Sequence, residues 1–328
     1  MPTNLTPDYF DAEKRYRAAK TVPEKISCLE EMLRVMPKHK GTDKLHADLR
    51  KRLSKLKTGP QTKKSSGRRD SAYQIDREGA GQAIVIGQTN VGKSSLIAKT
   101  TNANPEVSAS PFTTWNPTPG MMPIENIQVQ LIDTPPLNRE FVEPDLFDLM
   151  RRCDLILLMV DIQGDPLHQL EESMSIIQEN RILPIHMQAY PSDIKNPTFI
   201  KFLLLVNKCD DEGSNEDYEI FRQLMEEDCP LLPVSAETGR NVERMKLAIF
   251  EHLEIVRVYS KTPGEEPDLN SPFVLKMGSD VTEFARKVHL DFYKKMKSAR
   301  VWGSGAFEGQ MIGRDHILKD GDIVELKL

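Results

Sequence analysis

Gln82-Ala-Ile-Val-Ile-Gly87-Gln-Thr-Asn-Val-Gly92-Lys93-Ser94-Ser95, continued by LIAKT to residue 100, decides the fold. An apolar run of strand length enters a loop bounded by glycines, and a helix-forming stretch leaves it. The loop fits the spacing GxxxxGK[ST]. That spacing lets backbone N–H groups converge on a polyphosphate, sets the charge of Lys93 against its outer phosphates and offers the Ser94 hydroxyl to Mg²⁺. Gly87, Asn90, Val91, Gly92, Lys93, Ser94 and Ser95 are therefore the candidate phosphate-binding residues.

Downstream, the apolar runs NIQVQLID, DLILLMVD, ILPIH, KFLLLVN and LLPVS alternate with helical patterns such as NVERMKLAIFEHL. Strands that are apolar on both faces, with helices between them, imply an α/β fold with a mainly parallel sheet covered on both sides. Three further motifs sit at the ends of these runs. Asn207-Lys208-Cys209-Asp210 follows FLLLV. A carboxylate there can accept from both N1–H and the exocyclic amine of guanine, and the wrong base would leave it desolvated and unpaired. Ser235-Ala236, after LLPV, match a loop whose backbone meets the guanine O6. Asp133 ends the strand NIQVQLI and is the candidate Mg²⁺ carboxylate, at the head of Asp133-Thr134-Pro135-Pro136.

Between the first helix and the next strand, Phe112-Thr113-Thr114 stands where a switch threonine closes on Mg²⁺ and the γ-phosphate, and Thr114 is chosen over Thr113. The expected catalytic set is Lys93, Asn90, Thr114 and Asp133, with Ser94, Thr114 and Asp133 on the metal and GTP or GDP as ligand. One departure stands out. Pro136 occupies the position where a glycine would donate its N–H to the γ-phosphate, and proline has no N–H to give.

The chain of 328 residues has room for two or three folded units. Its 39% hydrophobic and 28% charged residues are ordinary for a globular protein and argue against wholesale disorder. Its apolar runs fall far short of the roughly 20 residues of a membrane helix, and no secretory signal opens it, so a cytoplasmic protein without membrane contact is expected. The four cysteines form no CxxC pair, so neither a disulfide framework nor a zinc site is readable.

The net charge of −5 hides an asymmetry: residues 1–70 hold 18 Lys and Arg against 9 Asp and Glu. Helical spacing over 9–35 and 43–57 predicts an N-terminal helical hairpin within 1–58. A basic linker follows at 59–79, then the nucleotide domain at 80–255. Residues 256–328 change pattern again, to the short strands VRVYS, PFVLKMG and DIVELKL around one amphipathic helix near 280–298.

These motifs, in this order, resemble the translation-associated P-loop GTPases. SPFTTWNPTPG at 110–120 looks like the switch region of the Obg and developmentally regulated GTP-binding protein group. PFVLKMGSDVTEFARKVHLDFYKKMKSARVWG, with GDIVEL near the end, is similar to their TGS domain, a small α+β β-grasp module that the group uses for RNA or ribosome contact. The resemblance covers about 80–328 and departs in two places: DTPPLNREFVEPD replaces a Gly-rich segment, and Asn90 replaces a serine. Asn at that P-loop position is seen in potassium-stimulated relatives. The resemblance thus implies a K⁺ ion held partly by Asn90, in a site where Leu137 stands in place of a water-orienting glutamine.

The leading expectation is a slow GTPase switch acting on ribosomes or on rRNA or tRNA. Its phosphate contacts would come from Lys51, Arg52, Lys55, Lys57, Lys63, Lys64, Arg68 and Arg69 of the arm and from Arg286, Lys287, Lys294, Lys295, Lys297 and Arg300 on the C-terminal helix. The alternative is a nucleotide-sensing module with little hydrolysis. An ATP-dependent kinase or motor is disfavoured by Asp210.

Overall fold

The computed structural model describes residues 7–18, 22–35, 49, 72–101, 116–137, 142–189, 194–225, 229–304 and 307–327. The chain divides into two compact units, Met1–Arg69 and Asp70–Leu328. In the first, α1 (Pro7–Ala18) and α2 (Val22–Val35) pack through Tyr9, Ala12, Leu29 and Met32, with Leu49 buried against them. Arg15 on α1 donates to Glu31 on α2 at 2.9 Å. The stretch expected as one helix over 9–35 is therefore two. Among the described residues α1 ends at Ala18 and α2 begins at Val22. The second expected helix at 43–57 and all eight basic arm residues lie outside the described residues, apart from Leu49.

The second unit opens with a sheet in the order β2-β3-β1-β4-β6-β5, with β7 also on β6. Its strands are β1 (Gln82–Gly87), β2 (Thr118–Ile124), β3 (Ile127–Asp133), β4 (Leu155–Asp161), β5 (Ile182–Pro184), β6 (Thr198–Asn207) and β7 (Leu231–Pro233). Only the β2–β3 pair is antiparallel. The helices are α3 (Lys93–Thr100), α4 (Pro144–Arg152), α5 (Pro166–Glu179), α6 (Gly213–Leu224) and α7 (Val242–Leu253). Along β1, Ile84 and Ile86 join one core with Leu146 and Leu149 of α4 and Leu170 of α5. Ala83 and Val85 join the opposite core with Leu96 and Ile97 of α3 and Ile249 of α7. Alternation along a fully buried strand thus feeds two layers of helices, as the two-sided apolar runs require.

Strand β2, which carries Pro119 and Pro123, is not among the apolar runs that the sequence offers. It survives as the edge strand, where a residue without an N–H does not interrupt a ladder on its open side.

The remainder folds around a second sheet, β11-β10-β12-β8-β9. Its strands are β8 (Ile255–Ser260), β9 (Phe273–Lys276), β10 (Ser298–Trp302), β11 (Gln310–Ile312) and β12 (Asp322–Lys327). The single helix expected over 280–298 is two helices, α8 (Val281–Val288) and α9 (Leu290–Lys295). His289 breaks them: its backbone is extended and its side chain caps α9 by accepting from the Asp291 N–H. Two strands, β10 and β11, also went unread, so Lys297 and Arg300 are not helical; Arg300 stands on β10 opposite Glu325. Val281, Phe284 and Ala285 of α8 bury against the sheet, with the Phe273 and Phe284 rings edge to face at 5.5 Å.

Candidate nucleotide site

The site is built where β1, β3, β4, β6 and β7 end. Gly87 leaves β1 at φ 148, and a Cβ there would stand 2.4 Å from the carbonyl oxygen of Met159. Gly92, at φ 98 beside the first turn of α3, would drive a Cβ to 2.2 Å from Asn207 Nδ2. Both glycines are thus set by close approach as well as by backbone angle. The loop between them curls around the side chain of Lys93. Its ammonium donates to the carbonyls of Gly87 at 3.0 Å and Gln88 at 2.7 Å. Asn90 is exposed and has φ 63, a left-handed conformation that asparagine tolerates better than most residues.

Ser94 Oγ donates to Asp133 Oδ2 at 2.6 Å. A hydroxyl from the first turn of α3 and a fully buried carboxylate at the end of β3 form an oxygen pair suited to a hard divalent cation. The donor set fits Mg²⁺. Next to it the Thr134 hydroxyl donates to the Val85 carbonyl at 2.8 Å, and the Leu137 N–H donates to the Gly87 carbonyl at 3.1 Å. The Leu137 side chain is fully buried in the α4–α5 core. Thr113 and Thr114 lie outside the described residues.

The base end is organised by Asn207. Its Nδ2 donates to the Val91 carbonyl at 2.7 Å, and its Oδ1 accepts from the Ala236 N–H at 3.0 Å, so one buried amide ties the phosphate loop to the loop after β7. Lys208, at φ 64, is ion-paired with Asp161 at the end of β4. Asp210 Oδ1 accepts from the Ser235 hydroxyl at 2.5 Å, and Oδ2 accepts from Gln163 Nε2 at 3.3 Å.

The structure therefore gathers Gly87, Asn90, Val91, Gly92, Lys93, Ser94 and Asp133 into one group and Lys208, Asp210, Ser235 and Ala236 into another, with Asn207 between them. Ser95 lies half-buried on α3. Sequence reasoning missed three participants: Asp161, Gln163 and Arg240. The last donates to the backbone of the loop that carries Asp210.

Burial pushes the Cys209 thiol up to about 11, so this member of the base loop is a neutral, structural group. Among the described residues no three His, Cys, Asp or Glu side chains cluster as a metal site, and no helix is long and apolar enough to cross a membrane.

Residues 82–189 match the family model described as a 50S ribosome-binding GTPase, and residues 256–328 match that of the TGS domain. An uncharacterized GTP-binding protein of Methanocaldococcus jannaschii is 29% identical, over 93% of this chain and 92% of its own. Developmentally-regulated GTP-binding protein 1 of Xenopus laevis is 25% identical over 92% of this chain and 98% of its own. Ribosome-interacting GTPase 1 of Saccharomyces cerevisiae is 23% identical over 93% and 99%. In fold, the YchF GTPase of Schizosaccharomyces pombe is similar at TM-score 0.52 and 14% identity, over 77% of this chain and 99% of that one. With the Gly87–Ser94 loop, the Ser94–Asp133 pair and the Asp210 loop in place, these matches show a GTPase domain followed by a TGS domain, in a chain that is similar along most of its length to proteins named as GTP-binding, among them the developmentally regulated GTP-binding proteins.

Proposed function

We propose that the protein hydrolyses GTP to GDP and phosphate and acts as a slow switch on ribosomes or structured RNA. The observation that carries the chemistry is the 2.6 Å pair of Ser94 and Asp133 beside Lys93. Ser94 and Asp133, together with Thr114, would hold Mg²⁺, which when bound neutralises charge on the phosphates. The chain itself supplies orientation and fixed dipoles: Lys93 and the loop N–H groups bind the phosphates, and Asp210 and Asn207 fix the base. With Leu137 locked in the core, no side chain at that position orients water. Hydrolysis then rests on electrostatic placement, to which a K⁺ ion near Asn90 would add.

A relative named for ribosome interaction and a TGS match support the ribosomal part of the reading. On the C-terminal domain Lys294 and Lys297 are exposed. Arg286 lies 4.4 Å over the Tyr293 ring and Lys295 pairs with Asp291, which leaves them less free for phosphates. Co-sedimentation with ribosomes in GDP and in a non-hydrolysable GTP analogue, run beside a phosphate-release assay, tests the proposal. Release that Lys93→Ala abolishes, together with nucleotide-dependent pelleting, is the expected result.

A second reading, a sensing module with little turnover, is favoured by the segment after Asp133. Pro136 has no N–H, and that of Leu137 is spent on Gly87, so neither offers a donor to a γ-phosphate. Tight GTP binding with phosphate release at the uncatalysed rate in both K⁺ and Na⁺ would select it.

A further inference from the structure

One side chain outside the nucleotide motifs reaches both flanks of the base-selecting carboxylate. Arg240 follows Gly239 at the end of the loop after β7 and is half-buried. Its Nη1 donates to the carbonyl of Cys209 at 3.2 Å and to that of Asp211 at 2.8 Å. The two residues that flank Asp210 thus share one donor. Nη2 donates to Asn215 Oδ1 on α6, which braces the guanidinium from behind.

The backbone of Arg240 closes the circuit. Its carbonyl accepts from the Ser235 N–H at 3.1 Å, and its N–H donates to Thr238 Oγ1 at 3.3 Å. Ser235 in turn gives its hydroxyl to Asp210 Oδ1. Asp210 is held through its main chain by the guanidinium and through its side chain by a serine whose own main chain Arg240 fixes.

This arrangement has a chemical purpose. Reading guanine requires both carboxylate oxygens to lie in the plane of the base, opposite N1–H and the exocyclic amine. A rotation of either flanking peptide swings the carboxylate out of that plane. Charge-assisted bonds to backbone carbonyls are the strong kind, and a planar guanidinium fixes their direction in a way an ammonium does not.

We propose that Arg240 is a positioning residue for guanine recognition, clamping the backbone on both sides of Asp210 so that its carboxylate meets the base edge. The proposal rests on the reading of Asp210 as the base-selecting group. It adds a specificity determinant beyond the four-residue motif. The carbonyls of Cys209 and Asp211 are its targets, and the nucleotide base feels it only through Asp210.

The test is calorimetric titration of the full chain with GDP, IDP and ADP in Mg²⁺; IDP lacks the exocyclic amine. Wild type should prefer GDP over IDP and exclude ADP. Arg240→Ala should weaken GDP by about tenfold, close to the lower value of a single charged hydrogen bond because the effect reaches the base only through Asp210, and should bring the GDP to IDP ratio towards one. Arg240→Lys should fall between the two. A merely structural arginine would lower affinity for GDP and IDP equally or leave both unchanged, and either outcome overturns the proposal. Should Arg240→Ala not fold, the GDP to IDP ratio of Arg240→Lys decides: a wild-type ratio refutes the clamp. If wild type itself fails to separate GDP from ADP, the fault lies with the Asp210 reading and not with the clamp.

Discussion

Asn126 and Tyr259 meet where the G domain joins the TGS domain: Nδ2 of Asn126, at the tip of the β2–β3 hairpin, donates to the Tyr259 hydroxyl on β8 at 2.7 Å. The same amide donates to the Leu269 carbonyl at 3.0 Å. Beside it Arg257 bonds Glu125 and Asn126 of the hairpin tip and grips Asp320 through Nε at 3.0 Å and Nη2 at 2.7 Å. At its other end the hairpin pairs Thr118 with Asp133. Two strands therefore run from the proposed Mg²⁺ carboxylate to the surface that seats the second domain.

Arg257→Ala should loosen that seat. Its side chain is only 16% exposed and also lies 4.8 Å over the Phe250 ring, so truncation removes packing as well as charge. The expected cost is about 2 kcal/mol, appearing in urea as earlier unfolding of the TGS domain while the G domain transition moves less. Acid should do part of the same. Burial alone would raise the Asp320 carboxyl, but the bonds from Arg257 outweigh it and hold the group below its ordinary 3.8. A depressed folded-state value means the contribution is complete above the unfolded pKa and is lost as pH falls through the folded one. Asp320→Asn should therefore destabilise at pH 7 and make no difference well below pH 3.8. An equal effect at both pH values would show that the pair contributes only packing.

Asp210→Asn should shift preference from guanine to xanthine. The carboxylate accepts from two donors of guanine, whereas an amide offers one acceptor and one donor, which suits the 2-oxo group of xanthine. We expect GDP to weaken by about a hundredfold and XDP to gain, measured by competition for a fluorescent nucleotide. Unaltered GDP affinity would remove Asp210 from the base site.

The site was more legible than its supports, for a physical reason. A loop that binds phosphates needs a fixed local spacing, so the candidate residues Gly87 to Ser94 stand out in eight consecutive positions, and the buried parallel strands showed as uninterrupted apolar runs. Gln163 and Arg240 act across 47 and 31 positions on partners that share no pattern with them, and a lone polar residue in a loop carries no signal. Strand β2 was hidden because edge strands tolerate prolines that core strands exclude. The α8–α9 break was hidden because Phe284, Val288, Phe292 and Met296 keep helical spacing through the extended residue His289.

Alkylation at pH 8 should separate the four cysteines. Burial pushes the Cys153 thiol up to about 12 and the Cys209 thiol up to about 11, so both are neutral as well as covered. Cys28 and Cys229 are half-buried. Mass spectrometry after brief iodoacetamide treatment should find label on Cys28 and Cys229 first, with Cys209 reacting only as the protein unfolds. Early label on Cys209 would mean that the base loop opens in the native state.

The proposed K⁺ stimulation needs a pair of variants, because Asn90 has two separable properties. Its side chain could offer an oxygen to a monovalent cation, and its backbone, at φ 63, occupies a region that alanine enters at a cost of roughly 1 kcal/mol. Asn90→Ala alone would mix the two effects. Asn90→Gly removes the side chain and leaves the left-handed turn unstrained. If the side chain holds K⁺, both variants should lose the difference between turnover in K⁺ and in Na⁺, while only Asn90→Ala also weakens GDP binding. If asparagine serves the turn alone, Asn90→Gly should keep the full cation dependence. Equal turnover of the wild-type protein in the two salts would remove the ion from the mechanism and leave Lys93, the loop N–H groups and Mg²⁺ to stabilise the transition state.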